Sequence, residues 1–185
     1  VEAGTFLMAG AALGEVTINK IVPTHLRTVL IKLEETGAKV RTNQNSITIT
    51  RSDKIIPVDM TTAVFPGFPT DLQAQWVALM MLAEGSSVIT DTVYHDRFSH
   101  VPELNRLGAN IHVENNVAII RGVKKLVGAP VMSTDIRASA SLINGGLMAH
   151  GRTEVSRIYH IDRGYERIEE KFRSLGADIM RKTES

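Results

Sequence analysis

"EETGAKVRTNQNSITI" (residues 34–49) and "NRLGANIHVENNVAII" (residues 105–120) follow one pattern. Each closes a helix at Gly-Ala, runs a strand, turns through asparagines and returns as a second strand. Glycine is the usual residue for the left-handed position that ends a helix, which places Gly37 and Gly108 there. Asparagine tolerates the same backbone, so 43–45 and 115–116 read as hairpin turns. "RSLGADIMRKTES" (residues 173–185) starts the same way at Gly176, with a strand expected after it.

The spacing extends the pattern along the chain. Gly37 and Gly108 are 71 residues apart, as are Gly14 and Gly85. Gly85 and Gly151 are 66 apart, and Asp96-Arg97 recurs as Asp162-Arg163 at that offset. A fixed period of this kind marks a repeated structural unit. We read three copies, at about residues 1–54, 55–124 and 125–185. A full copy reads strand, helix, strand, helix, strand, strand. In the second copy these are expected at 55–60, 71–84, 87–92, a helix ending at Leu107, 110–114 and 117–121. The first copy lacks its opening strand and the third its last one. This suggests one domain cut from a longer protein, with a second domain absent and the missing strand supplied from elsewhere.

The helices are of two kinds. "TFLMAGAAL" (5–13), "QWVALMMLA" (75–83) and "SLINGGLMA" (141–149) are apolar nearly all round, which marks buried helices. Gly145-Gly146 weakens the third of these, and a close helix-to-helix approach would explain it. "HLRTVLIKLEETG", "VPELNRLG" and "GYERIEEKFRSLG" are amphipathic. The expectation is an α/β fold, an inside-out α/β barrel of three repeated units with three helices at its centre.

Composition narrows the function classes. The chain has 185 residues, a net charge of +1 and no cysteine. There is no basic field to suggest nucleic acid, and disulfides and thiolate chemistry within the chain are excluded. The longest apolar run, 76–83, is far short of a membrane span. The histidines lack metal-ligand spacing, so no metal is expected. A cytoplasmic protein fits these facts.

Charged residues sit at strand–helix junctions. "FPGFPTDLQAQ" puts Asp71 at the start of the second inner helix, and "STDIRASASL" puts Asp135 and Arg137 at the start of the third, with Thr134 as its N-cap. Arg97 and Arg163 stand where a strand hands over to an outer helix. Asp71 and Asp135 also suit a helix N-terminus without any function, and Arg97 and Arg163 could pair with Asp96 and Asp162 on the surface. Arg137 resists such an account, because a cation in the first turn opposes the helix dipole. Taken as one set, the arginines suit an anionic substrate, and Asp71 could accept a proton from a hydroxyl.

"FPGFPTDLQAQ", "HVPELNRLGA", "TDIRASASL" and "IYHIDRGYERIEEKFRSLGA" resemble the enolpyruvyl transferases, over the whole chain. The family fold is the inside-out barrel of repeated units. In its peptidoglycan branch, which these motifs favour, the resemblance implies transfer of the enolpyruvyl group of phosphoenolpyruvate to the 3-hydroxyl of UDP-N-acetylglucosamine. It implies Asp71 as the base at the sugar hydroxyl and Val93 as a contact to the UDP-sugar. Arg97 and Arg163 match arginines that hold phosphoenolpyruvate, Arg163 with a catalytic part. Arg137 matches a further arginine of the site, and Asp135 an aspartate of proton transfer or loop positioning. No cofactor is expected. The family's general acid, a cysteine or an aspartate, lies on a loop of the other domain, so this chain alone is expected to be inactive. The shikimate-pathway branch and a non-catalytic repeat scaffold are the alternatives.

Overall fold

The structure is a computed structural model and describes residues 1–183. Its elements follow the repeat. The first copy holds α1 (Glu2–Leu13), β1 (Glu15–Asn19), α2 (Arg27–Glu35), β2 (Lys39–Thr42) and β3 (Ser46–Thr50). The second holds β4 (Met60–Thr61), α3 (Gln73–Met80), β5 (Ser86–Thr90), α4 (Val101–Arg106), β6 (Asn110–Glu114) and β7 (Val117–Arg121). The third holds β8 (Pro130–Met132), α5 (Ile136–Met148), β9 (Glu154–Ser156) and α6 (Ile168–Ser174).

Sheet order repeats as well. The first copy runs β1-β3-β2 and the second β4-β5-β7-β6, so β1, β3 and β2 correspond to β5, β7 and β6. β8 and β9 pair in parallel, as β4 and β5 do. Gly37, Gly108 and Gly176 all have φ near +95°, the left-handed helix end read from the sequence. Asn115 has φ +55° in its hairpin. The 43–45 turn closes without a positive φ, through the Asn43 N–H donating to the Ser46 carbonyl at 3.0 Å.

The three apolar helices form the centre. α3 is buried along its whole length, α1 is buried from Gly4 to Ala11, and α1, α3 and α5 touch one another. A β-carbon added to Gly145 would meet Met81, Leu104 and Leu107 at 3.2–3.3 Å, so glycine there permits the close approach that the sequence suggested. The centre also holds a polar knot that apolar patterning did not reveal. Thr5 Oγ1 bonds to the Tyr165 hydroxyl at 2.6 Å and accepts from Gln75 Nε2 at 3.1 Å. Asn144 Nδ2 donates to the Thr5 carbonyl at 3.1 Å. One bond from each of the other two inner helices to Thr5 of α1 fixes how the three helices slide and rotate against one another.

Several expectations need correction. The fold is α/β, but the strands form three separate sheets of three, four and two strands, with no closed sheet among the described residues. A barrel requires ladder bonds between all neighbouring strands. Between copies the backbone makes single bonds instead, such as Ile56 N–H to the Thr36 carbonyl and Val127 N–H to the Leu107 carbonyl. The strand expected at 55–60 shrinks to Met60–Thr61. Pro57 has no N–H to give, the Val58 N–H meets Met80 Sδ, and the Ile55 carbonyl accepts from Glu84. The helix expected at 71–84 becomes a 3₁₀ turn, Thr70–Leu72, followed by α3, which stops at Met80. There the chain tightens into bonds from Met81 N–H to the Ala78 carbonyl and from Ala83 N–H to the Met80 carbonyl, and the Met81 carbonyl accepts from Val123 N–H. Residues 177–183 form no strand and join no ladder among the described residues; 184–185 lie outside the described residues.

Candidate functional site

The start of α5 is built from local side-chain bonds. Asp135, not Thr134, is the N-cap: its Oδ1 accepts the Ala138 N–H at 2.9 Å. The Asp135 carbonyl accepts from both the Ser139 N–H and its hydroxyl. Arg137 therefore sits two residues into the first turn, where a cation is disfavoured. Two carboxylates offset that cost. Arg137 Nη1 lies 3.6 Å from Asp71 Oδ1, and its Nη2 lies 3.8 Å from Asp135 Oδ2.

Asp71 reaches the same place from the 3₁₀ turn ahead of α3. The Arg97 Nη1 also touches Asp71 Oδ1, at 3.2 Å, and lies 3.2 Å from Thr70 Oγ1. The Arg97 guanidinium stacks 3.5 Å from the centre of the Tyr94 ring. One carboxylate oxygen thus meets two guanidiniums delivered by different copies of the repeat. Ser99 and Thr134 bond at 3.1 Å and tie the two loops together.

Beside this trio is a cavity of about 350 Å³, walled by Thr70, Gln73, Tyr94, Arg97, His100, Asp135 and Arg137, among others. Asp71 is not part of the wall but bonds to two residues that are. His100 is 2 % exposed and its Nε2 has no hydrogen-bond partner. Burial, aided by the Arg137 charge and opposed by Asp135, pushes its pKa down to about 4. The wall therefore carries a neutral imidazole at pH 7.

The loop that carries Arg97 hangs on Asp91, a residue the sequence reading did not single out. Asp91 is fully buried. Its Oδ1 accepts from Thr62 Oγ1 and from the N–H groups of Val93 and Tyr94, at 2.8, 3.0 and 2.9 Å. Its Oδ2 accepts from Thr70 Oγ1 at 2.7 Å and Gln73 Nε2 at 3.2 Å. Burial alone would push the carboxyl up; the bonds from Tyr94, Thr70, Thr62 and Gln73 outweigh it and hold the pKa below the usual carboxylate value. An aspartate ending an apolar-alternating strand ("SSVITD") was the available signal; the Val93 and Tyr94 N–H groups are local, and only the tertiary fold brings Thr62, Thr70 and Gln73 to it.

The remaining expected residues fall as follows. Val93 is half-buried in the Asp91 loop, next to Tyr94 of the wall. Arg163 ends the 3₁₀ turn Ile158–Arg163, is exposed, and makes no ion pair among the described residues. The structure does not bring it to the Asp71 trio. The next residue, Gly164, packs against the Ile136 side chain at the start of α5, where an added β-carbon would collide with it. Surface pairing within Asp-Arg dipeptides does not occur. Arg97 binds Asp71, and Asp162 binds Arg181 through two bonds of 2.7 and 2.8 Å.

The sequence profile described as EPSP synthase (3-phosphoshikimate 1-carboxyvinyltransferase) matches residues 1–172. The chain belongs to this family. Two relatives named UDP-N-acetylglucosamine 1-carboxyvinyltransferase place it more closely within the family. That of Pelodictyon phaeoclathratiforme is 57 % identical over 182 residues, covering 98 % of this chain and 43 % of the relative. That of Bdellovibrio bacteriovorus is 56 % identical over 183 residues, covering 98 % of this chain and 44 % of the relative. The chain thus spans less than half the length of these family members. Among solved structures, the enolpyruvyl transferase NikO from Streptomyces tendae superposes with a TM-score of 0.85 at 29 % identity, over 96 % of this chain and 42 % of that one. EPSP synthase from Acinetobacter baumannii superposes at 0.72 with 16 % identity, over 97 % and 43 %, a likeness of fold.

Proposed function

We propose that the full-length protein carrying this chain transfers the enolpyruvyl group of phosphoenolpyruvate to the 3-hydroxyl of UDP-N-acetylglucosamine, a step of peptidoglycan synthesis and so of cell-wall growth, shape and division. The observation that carries this reading is one carboxylate, Asp71, held between the guanidiniums of Arg97 and Arg137 beside a cavity. The high identity to relatives of that name supports the choice of acceptor.

The chemistry asks for what these residues offer. The sugar hydroxyl adds to C2 of phosphoenolpyruvate while C3 takes a proton, giving a tetrahedral intermediate. The C2–O bond to phosphate then breaks, C3 loses a proton, and inorganic phosphate leaves. Asp71 is suited to accept the hydroxyl proton. Arg97 and Arg137 are suited to hold the carboxylate and phosphate of the three-carbon acid. Val93 contacts the UDP-sugar, Arg163 closes on the phosphate, and Asp135 orients Arg137. The donor of the C3 proton belongs to a second domain of the same protein, across the cleft that the cavity faces. In that protein, strands from outside this chain pair with the free edges of β1 and β9 and complete the ring around the three inner helices. No helix among the described residues is long and apolar enough to cross a membrane, and the reaction is assigned to the cytoplasm.

The test is phosphate release by the full-length protein given both substrates. Turnover with shikimate 3-phosphate instead of the UDP-sugar would move the protein to the shikimate branch. The 185-residue chain alone is expected to release none above a heat-killed control.

A further inference from the structure

We propose that Asp91 is the positioning residue for Arg97. This rests on the reading that Arg97 holds a substrate anion. Asp91 never reaches the cavity; it acts through three neighbours.

The first route is Thr70. Its hydroxyl has one proton, and that proton goes to Asp91 Oδ2 at 2.7 Å. The lone pairs are left facing Arg97 Nη1 at 3.2 Å. A carboxylate at position 91 therefore fixes the polarity of the hydroxyl, so that it accepts from the guanidinium. The second route is Gln73. Its amide N–H₂ spans Asp91 Oδ2 at 3.2 Å and the Arg97 carbonyl at 3.0 Å. Its Oε1 has no partner, so the amide's orientation depends on those two acceptors. The third is the loop itself. Asp91 Oδ1 gathers the N–H groups of Val93 and Tyr94, and this turn lays the Tyr94 ring against the Arg97 guanidinium. Main chain, side-chain donor and stacking face of Arg97 are thus all referred back to one buried carboxylate.

An amide cannot do this. In Asp91→Asn the Oδ1 acceptor survives, but Oδ2 becomes an N–H₂ facing two donors. Thr70 must then accept from both sides with its proton unplaced, and Gln73 must flip, turning its oxygen to the Arg97 carbonyl. The loop can stay closed through Oδ1 while Arg97 loses its aim.

Calorimetric titration of the full-length protein with inorganic phosphate, well below its melting temperature, tests this without needing turnover. Arg97→Ala and Asp91→Asn are each expected to weaken phosphate binding about tenfold or more. The double variant is expected to bind no worse than Arg97→Ala alone, because both changes remove one interaction. Additive losses would overturn the proposal. So would an Asp91→Asn protein with a lowered melting temperature and unchanged phosphate affinity, the mark of a merely structural aspartate. Absence of phosphate binding by the parent protein would overturn it as well. If Asp91→Asn does not fold, Thr70→Val keeps the carboxylate and the side-chain shape but removes the hydroxyl bridge. It is expected to weaken phosphate binding severalfold, and an unchanged affinity would count against the proposal. A protein that shows the expected pattern with phosphate but releases none from the two substrates refutes the reaction and leaves the role of Asp91 standing.

Discussion

Arg97 and Arg137 meet on a single oxygen of Asp71, at 3.2 and 3.6 Å. Arg97 comes from the loop after β5 and Arg137 from the first turn of α5, so the junction joins the second and third copies of the repeat. Asp71 keeps about half its side chain exposed.

Removing Arg97 is expected to hurt function more than fold. In the full-length protein, Arg97→Ala should lower kcat/KM for phosphoenolpyruvate about 10- to 150-fold, the equivalent of one lost charge-assisted bond. Steady-state kinetics at several phosphoenolpyruvate concentrations measures it. Unchanged kinetics would take Arg97 out of the site.

Asp71→Asn keeps the shape and removes the base. A fall in kcat of about 10²- to 10⁴-fold is expected, with little change in melting temperature, because the carboxylate is half exposed and its ion pairs are worth about 1 kcal/mol or less each. A kcat within twofold of the parent would assign the hydroxyl proton to another group.

Arg137 gives a stability–activity contrast. Its place in the first turn of α5 opposes the dipole, and Arg137→Ala should leave the melting temperature unchanged or raise stability by up to about 1 kcal/mol while activity falls. Thermal denaturation alongside phosphate release checks both halves. A large drop in stability would show that the pairs to Asp71 and Asp135 hold the fold together.

His100 sets a stability limb at acid pH. Its folded pKa is about 4, below the ordinary 6.5, because the buried ring resists charging. The unfolded chain therefore binds more protons between those values. Stability is expected to be complete above pH 6.5 and to fall as pH drops towards 4, by roughly 3 kcal/mol from this group. Urea denaturation at pH 7 and 4.5 measures the slope. His100→Gln should flatten it, and an equal slope in both proteins would trace the limb to carboxylates instead.

Packing at the centre is equally open to test. Gly145→Val would drive side-chain carbons into Met81, Leu104 and Leu107, which already lie 3.2–3.3 Å from an added β-carbon. A loss of about 1–3 kcal/mol is expected, read as a lower urea midpoint with unchanged slope.

Local chemistry made much of this protein legible in its sequence. Gly37, Gly108 and Gly176 closed helices as read, 110–114 and 117–121 formed their hairpin, and the three apolar segments became the buried helices. These features depend on one residue's backbone freedom or on the period of a single element, and both survive in isolation. The misreadings came where partners lie far along the chain. Residues 55–59 have strand-like composition, but their backbone groups are claimed by Thr36, Met80 and Glu84. That the three sheets stay separate was not legible, because the bonds between copies are not written in any one copy.

The site divides in the same way. By itself the sequence determined which junctions carry charge, and that Arg137 opposes its own helix. Only the tertiary structure decided that Arg97 and Arg137 share Asp71, that Arg163 stays outside that trio, and that Asp91 holds the loop. The physical reason is that an ion pair or a buried carboxylate is a property of distance in space. Between Asp71 and Arg137, 66 residues apart in the chain, that distance is set by how α3 and α5 pack.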